Sequence, residues 1–62
     1  MWYVYILKCA DDRFYTGCTS NLDQRLERHQ NKQVHYTQDK LPVELVTYVV
    51  FKDKYKAFDF ER

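Results

Sequence analysis

The chain opens on Trp2-Tyr-Val-Tyr-Ile-Leu-Lys8, continues through Ala10-Asp-Asp-Arg13 and reaches Phe14-Tyr-Thr-Gly-Cys-Thr19. The first and third segments are rich in aromatic and β-branched residues, which predicts two strands, and the residues between them are typical of a turn. A parallel return would need about a dozen connecting residues or more. The two strands are therefore expected to pair as an antiparallel hairpin.

A helix is predicted next, from about Leu22 to Lys32. Either Ser20 or Asn21 can cap its start, and Gln24 stands three residues after Asn21, in capping-box position. The spacing i, i+3, i+4, i+7 places four residues on one helical face. Leu22 and Leu26 are apolar, whereas Arg25 and His29 have side chains that can take part in catalysis.

Beyond a polar loop that ends at Pro42, residues 43–51 form the strongest strand pattern. Their apolar side chains fall on both alternating faces, which predicts cover on both sides. Asp53 can then cap a final helix from Lys54 to Arg62, with Ala57 and Glu61 on a common face. The order β-β-α-β-α predicts an α+β fold, a small three-stranded antiparallel sheet flanked by helices, as one domain over residues 1–62.

Composition restricts the function only weakly. Ten Lys and Arg against nine Asp and Glu give a net charge of +1, which neither supports nor excludes a DNA partner. Two cysteines, Cys9 and Cys18, indicate neither a zinc site nor a disulfide framework. No apolar stretch approaches the roughly 20 residues of a membrane span, and no leader pattern is present, so a soluble cytoplasmic protein is expected.

Five segments in order carry a family resemblance: Tyr3-Val4-Tyr5, Tyr15-Thr16-Gly17, Arg25-Leu-Glu-Arg-His29, Pro42-Val-Glu-Leu-Val46 and Ala57-Phe-Asp-Phe-Glu61. Together they resemble the GIY-YIG nuclease superfamily, and within it the small stand-alone bacterial members called UvrC-like or URI-type. Tyr3 replaces the glycine of the first motif, and Thr16 replaces an Ile or Val of the second. The family continues past its glutamate into a further helix with an asparagine, so the expected C-terminal helix is lacking here.

The resemblance implies a phosphodiesterase that cuts DNA with one divalent cation, Mg²⁺ or Mn²⁺, held by Glu61. Tyr5 and Tyr15 match the motif tyrosines, and one of them, Tyr5, would activate water. A phenol with a pKa of about 10 is a poor base, so it needs neighbours that favour the phenolate or take its proton. His29 could relay that proton, and Arg25 could hold a phosphate oxygen.

The hairpin turn decides whether the two motif tyrosines share a face. A two-residue turn at Asp11 and Asp12 would place Tyr5 and Tyr15 on opposite faces of the sheet, whereas a three-residue turn at 11–13 would pair Cys9 with Tyr15 and put both rings on one side. A shared site therefore predicts an odd-length turn or a bulge. In that register Cys18 would lie opposite Ile6, on the other face from Cys9, where a disulfide could not form.

Three functions compete on these residues. The first is hydrolysis of DNA, the second is a nucleic-acid-binding module that keeps the fold without cutting, and the third is an assembly fragment with neither activity. Substitution of Glu61 separates the first two hypotheses.

Overall fold

The computed structural model describes residues 1–61 and confirms the predicted α+β order. Its elements are β1 Trp2–Lys8, β2 Phe14–Thr19, α1 Leu22–Gln30, β3 Glu44–Phe51 and α2 Lys54–Glu61. The prediction that the last helix includes Arg62 concerns a residue outside the described ones. Within residues 1–61, neither helix is long and apolar enough to cross a membrane.

The hairpin between β1 and β2 has a three-residue loop, Ala10 to Asp12. The backbone N–H of Cys9 donates to the carbonyl of Arg13 at 2.8 Å, and that of Asp12 donates back to Cys9 at 3.0 Å. Asp12 has a φ of 68°, the left-handed conformation that commonly closes a loop of this length and that Asp tolerates. The predicted odd-length turn is therefore confirmed.

The pairing register differs by two residues from the predicted one. The loop starts one residue earlier than expected, so Tyr15 pairs with Leu7 rather than Cys9, and Tyr5 pairs with Gly17 rather than Thr19. A two-residue shift keeps the parity of the strand, and Tyr5 and Tyr15 still share a face.

The same shift corrects the position of the second cysteine. Cys18 lies opposite Val4 and not opposite Ile6. Val4 and Ile6 belong to the same face of β1, so Cys18 remains on the opposite side of the sheet from Cys9. Both cysteines are free.

The sheet has the strand order β2-β1-β3, with both neighbours antiparallel to the central β1. The register between β1 and β3 shifts once, where Ile6 pairs with Thr47 and Leu7 with Leu45. The prediction that β3 is covered on both faces is wrong for residues 1–61. As an edge strand it has one partner only, and four of its apolar side chains stay exposed: Val46, Tyr48, Val49 and Val50.

Helix α1 is capped by Asn21, which resolves the two capping alternatives. Its side-chain oxygen accepts a hydrogen bond from the backbone N–H of Gln24 at 3.0 Å. The helix ends at Gln30, two residues before the predicted end, because Lys32 adopts a left-handed φ of 62°. The predicted inward face is confirmed, since the four residues that turn away from solvent are Leu22, Arg25, Leu26 and His29.

The core lies between the sheet and α1. Tyr5, Leu7 and Cys9 from β1 and its end form a buried cluster with Val43, and Leu22 and Leu26 are among the side chains packed against it. Helix α2 packs against the first residue of β1, where the rings of Phe58 and Trp2 meet edge-on with centroids 5.7 Å apart. Ala57 of this helix is fully buried. The motif tyrosine Tyr5 is thus itself a core residue.

Candidate active site

Tyr5 is fully buried and its ring lies directly over Gly17 of β2. A Cβ built on Gly17 would overlap the hydroxyl end of that ring and would come within 2.8 Å of its Cε1. Only a glycine leaves room for the ring at this crossing point. The glycine of the second motif therefore makes space for the tyrosine of the first.

The hydroxyl of Tyr5 is hydrogen-bonded to His29 in the interior. The Tyr5 oxygen lies 3.0 Å from Nε2 of His29, and Oγ1 of Thr37 lies 2.7 Å from Nδ1. All three side chains are fully buried. The imidazole is therefore held at both nitrogens between two hydroxyl groups.

Tyr15 lies beside this pair and is partly exposed. Its ring centroid is 6.3 Å from that of Tyr5 and 5.1 Å from that of His29. On its other side it packs against Tyr36, with centroids 5.3 Å apart. The two motif tyrosines and the histidine thus form one aromatic cluster, which Tyr36 extends to the surface.

Arg25 and Glu61 act electrostatically on the buried phenol. Burial raises the pKa of Tyr5 above its ordinary value, and the charge of Glu61 and the neighbouring Tyr15 add to this effect. Hydrogen bonding and positive charge from Arg25 act in the opposite direction. At neutral pH the phenol accordingly keeps its proton.

The same two charges also reach Cys18 of β2. Burial raises the pKa of the Cys18 thiol, the carboxylate of Glu61 raises it further, and Arg25 lowers it. Arg25 belongs to α1 and Glu61 to α2. Two helices therefore bring opposite charges to the neighbourhood of one strand.

The residues around Glu61 are compatible with a hard cation that keeps most of its water. Glu61 is partly buried and borders an open cavity of about 540 Å³ together with Tyr55, Phe58 and Asp59. Within residues 1–61, no three His, Cys, Asp or Glu side chains are grouped so as to hold a metal. Mg²⁺ commonly uses one or two carboxylates, several waters and a substrate phosphate, so a site based on a single carboxylate fits this ion.

Sequence reasoning missed Thr37. This residue lies in the polar segment between α1 and β3, where a threonine carries no periodic or motif signal. Its burial and its contact with His29 come only from the folding of that segment. His35, two residues earlier, is exposed and lies 3.3 Å from Gln38 through its Nδ1, away from the cluster.

The buried His29 predicts a loss of stability in mild acid. Burial and the nearby Arg25 and Arg28 lower its pKa below 6.5, so the unfolded chain binds a proton there more readily than the folded one. The contribution is complete above a pH of about 6.5 and is lost as the pH falls toward the folded pKa, by at most about 1.4 kcal/mol per pH unit. Thermal unfolding followed by circular dichroism at stepped pH measures it. His35→Gln, at an exposed position, should keep this slope, and an unchanged slope in His29→Gln would contradict the assignment.

Comparison with known proteins shows the family to which this chain belongs. Residues 1–62 match the family model of the GIY-YIG catalytic domain. A UPF0213 protein of Clostridium perfringens is 47% identical over 58 residues, covering 92% of this chain and 62% of the relative. A second, from Streptococcus pyogenes serotype M5, is 45% identical over 60 residues, covering 95% of this chain and 65% of the relative. The chain thus spans less than two thirds of the length of these curated relatives.

A solved structure agrees with these relatives. The solution NMR structure of a UPF0213 protein from Bacillus halodurans is 40% identical and superposes with a TM-score of 0.60, over 98% of this chain and 67% of that one. The resemblance to small members of the nuclease superfamily is therefore confirmed. The chain belongs to the GIY-YIG catalytic domain family and is similar to the small UPF0213 proteins.

Proposed function

We propose that this domain is a metal-dependent endonuclease that hydrolyses DNA phosphodiester bonds through a tyrosine-activated water and one divalent cation. The observation that carries the proposal is the buried pair of Tyr5 and His29, joined at 3.0 Å, on which both Arg25 and Glu61 act. A proton acceptor, a cation and a carboxylate at one phenol are the groups that such a reaction requires.

Tyr5 and His29 act together as the proton acceptor for the attacking water. Because burial raises the pKa of Tyr5, its phenol is protonated at neutral pH and cannot accept a second proton. Nε2 of the neutral His29 can receive the Tyr5 proton while the phenol oxygen takes one from water. His29 then carries the positive charge until it passes the proton back through the Tyr5 hydroxyl to solvent, and the leaving oxygen takes its own proton from water.

Access to the phenol comes through its neighbours. Tyr5 exposes no surface, whereas Tyr15 and Arg25 beside it are both partly exposed. Water and the scissile phosphate therefore have to approach where these two side chains meet solvent. Tyr15 lines this approach, and the planar guanidinium of Arg25 is suited to hold a nonbridging phosphate oxygen there.

Glu61 is the side chain that would hold the cation. When bound, Mg²⁺ or Mn²⁺ would polarise the phosphate and stabilise the leaving oxygen. The charge of Glu61 contributes to the raised pKa of Tyr5, which supports an electrostatic interaction between the carboxylate and the phenol. Neutralising the carboxylate by a cation therefore also favours the phenolate.

Glu61→Gln tests the proposal directly. Nicking of a panel of branched, damaged, single-stranded and duplex DNA substrates, in Mg²⁺ or Mn²⁺, should fall by about 100-fold while DNA binding is retained, because the amide keeps the size and loses the charge. Glu44→Gln is the matched control, since Glu44 is an exposed glutamate at the start of β3. Equal rates in the Glu61→Gln and wild-type chains would overturn the assigned role.

The alternative is a nucleic-acid-binding module of the same fold that does not cut. The observation in its favour is the complete burial of Tyr5, which encloses the proposed reactive oxygen. The same assay separates the two functions. Binding of DNA by the intact chain without nicking in either metal would favour the module.

A further inference from the structure

We infer that Thr37 sets the tautomer of His29 and so makes Nε2 of His29 the proton acceptor for Tyr5. Thr37 is then a positioning residue, since it acts through His29. The role of Thr37 in catalysis rests on the proposed function, but the tautomer of His29 is a property of the folded chain that can be measured without any activity.

The distances alone leave two arrangements. A neutral imidazole has one N–H and one lone pair, and a hydroxyl can donate or accept. His29 lies between two hydroxyls, with the Tyr5 oxygen 3.0 Å from Nε2 and the Thr37 oxygen 2.7 Å from Nδ1. In the first arrangement the Tyr5 hydroxyl donates to Nε2 and Nδ1–H donates to Thr37. In the second, Nε2–H donates to Tyr5 and the Thr37 hydroxyl donates to Nδ1.

The difference in acidity between the two hydroxyls selects the first arrangement. The phenol of Tyr5, with an ordinary pKa of about 10, gives up its proton far more readily than the aliphatic hydroxyl of Thr37, so Tyr5 is the stronger donor and Thr37 the stronger acceptor. Both hydroxyls are fully buried, and among residues 1–61 His29 is the side chain within hydrogen-bonding distance of each of them. The Tyr5 proton therefore points at Nε2, and the His29 proton lies on Nδ1, where Thr37 accepts it.

The loop around Thr37 is tied firmly enough to hold this acceptor in place. The backbone N–H of Thr37 donates to Val34 at 3.2 Å, and its carbonyl accepts from Lys40 at 2.9 Å. The carbonyl of Lys40 in turn accepts from the backbone N–H of Ala10 in the hairpin at 2.9 Å. The side-chain Nζ of Lys40 donates to the carbonyl of Tyr36 at 2.9 Å. The Thr37 hydroxyl is thus fixed relative to both the loop and the sheet.

The tautomer can be read from the side-chain ¹⁵N shifts and N–H couplings of His29 in the labelled chain. Wild type should carry its proton on Nδ1. Thr37→Val keeps the shape of the side chain and removes the acceptor, which leaves an Nδ1–H unpaired in the interior and should move the tautomer ratio about tenfold toward Nε2–H. Thr37→Ser restores the hydroxyl and should restore the Nδ1–H form.

Thr47→Val is the matched control, because Thr47 is an exposed strand residue and its substitution should leave the His29 shifts unchanged. A wild-type proton on Nε2, or an unchanged ratio in folded Thr37→Val, overturns the inference. If Thr37→Val does not fold, the wild-type spectrum still decides the direction of the bond. In nicking assays Thr37→Val should lower kcat about tenfold with KM unchanged, with rescue by Thr37→Ser. Absence of nicking by wild type would refute the proposed function and leave the tautomer result standing.

Discussion

Tyr5→Phe should reduce DNA nicking by about 10³-fold while DNA binding stays within about twofold of wild type. The substitution removes one oxygen, which the proposed mechanism uses to pass a proton to His29, and leaves the ring over Gly17 in place. Single-turnover cleavage at saturating metal measures the chemical step. The stability cost should be about 1–3 kcal/mol, since Nε2 of His29 loses its buried partner.

Tyr3→Phe is the matched control for this experiment. Tyr3 belongs to the same strand and face, two residues earlier, and its ring packs edge-on against Tyr48 with centroids 5.9 Å apart. It replaces the motif glycine and is assigned to packing, so loss of its hydroxyl should leave nicking unchanged. Comparable losses in both variants would argue against a specific role for the Tyr5 oxygen.

Gly17→Ala should destabilise the fold by about 1–3 kcal/mol and reduce nicking together with it. The added methyl group overlaps the hydroxyl end of the Tyr5 ring, and because this ring is fully buried its displacement disturbs the core. Any displacement of the ring also lengthens the hydrogen bond from Tyr5 to His29. Chemical denaturation measures the stability change, and the His29 ¹⁵N shifts report the disturbed bond.

A double-mutant cycle separates the steric effect from a general loss of strand stability. In a Tyr5→Leu background the ring is absent, so Gly17→Ala should cost much less than in wild type. Thr16→Ala, at the exposed neighbouring position of β2, should change stability little. Equal costs of Gly17→Ala in the two backgrounds would show that the ring is not the cause.

The fold was largely predictable because its signals are local. Two short aromatic strands, an asparagine cap and an i, i+3, i+4, i+7 face each depend on residues close in sequence. The loop start and the end of α1 were wrong by one and two residues, and the larger error arose where a distant partner decides. The apolar run of β3 reads as a strand covered on both sides, but the sequence does not tell an edge strand from a central one, and Val46, Tyr48 and Val50 prove exposed.

The candidate site was only partly predictable for the same reason. Helical spacing brings Arg25 and His29 to one face, and hairpin parity brings Tyr5 and Tyr15 together, so these residues could be proposed from pattern and resemblance. Thr37 could not, because its contact with His29 depends on how an irregular loop folds back. The proton direction at His29 likewise depends on Tyr5 and Thr37 jointly, which no single spacing reveals.

The three-residue loop from Ala10 to Asp12 limits how this hairpin can change in length. If the loop kept its three residues, one residue inserted or deleted there would slip β2 by one position and turn Tyr15 to the opposite side of the sheet, away from His29. Insertions or deletions of two residues, or of one with a compensating bulge, preserve the facing of the strand. Any graft of a longer binding loop or label into this exposed turn must therefore leave Cys9 paired with Arg13, so that the added residues extend the loop and do not enter β2.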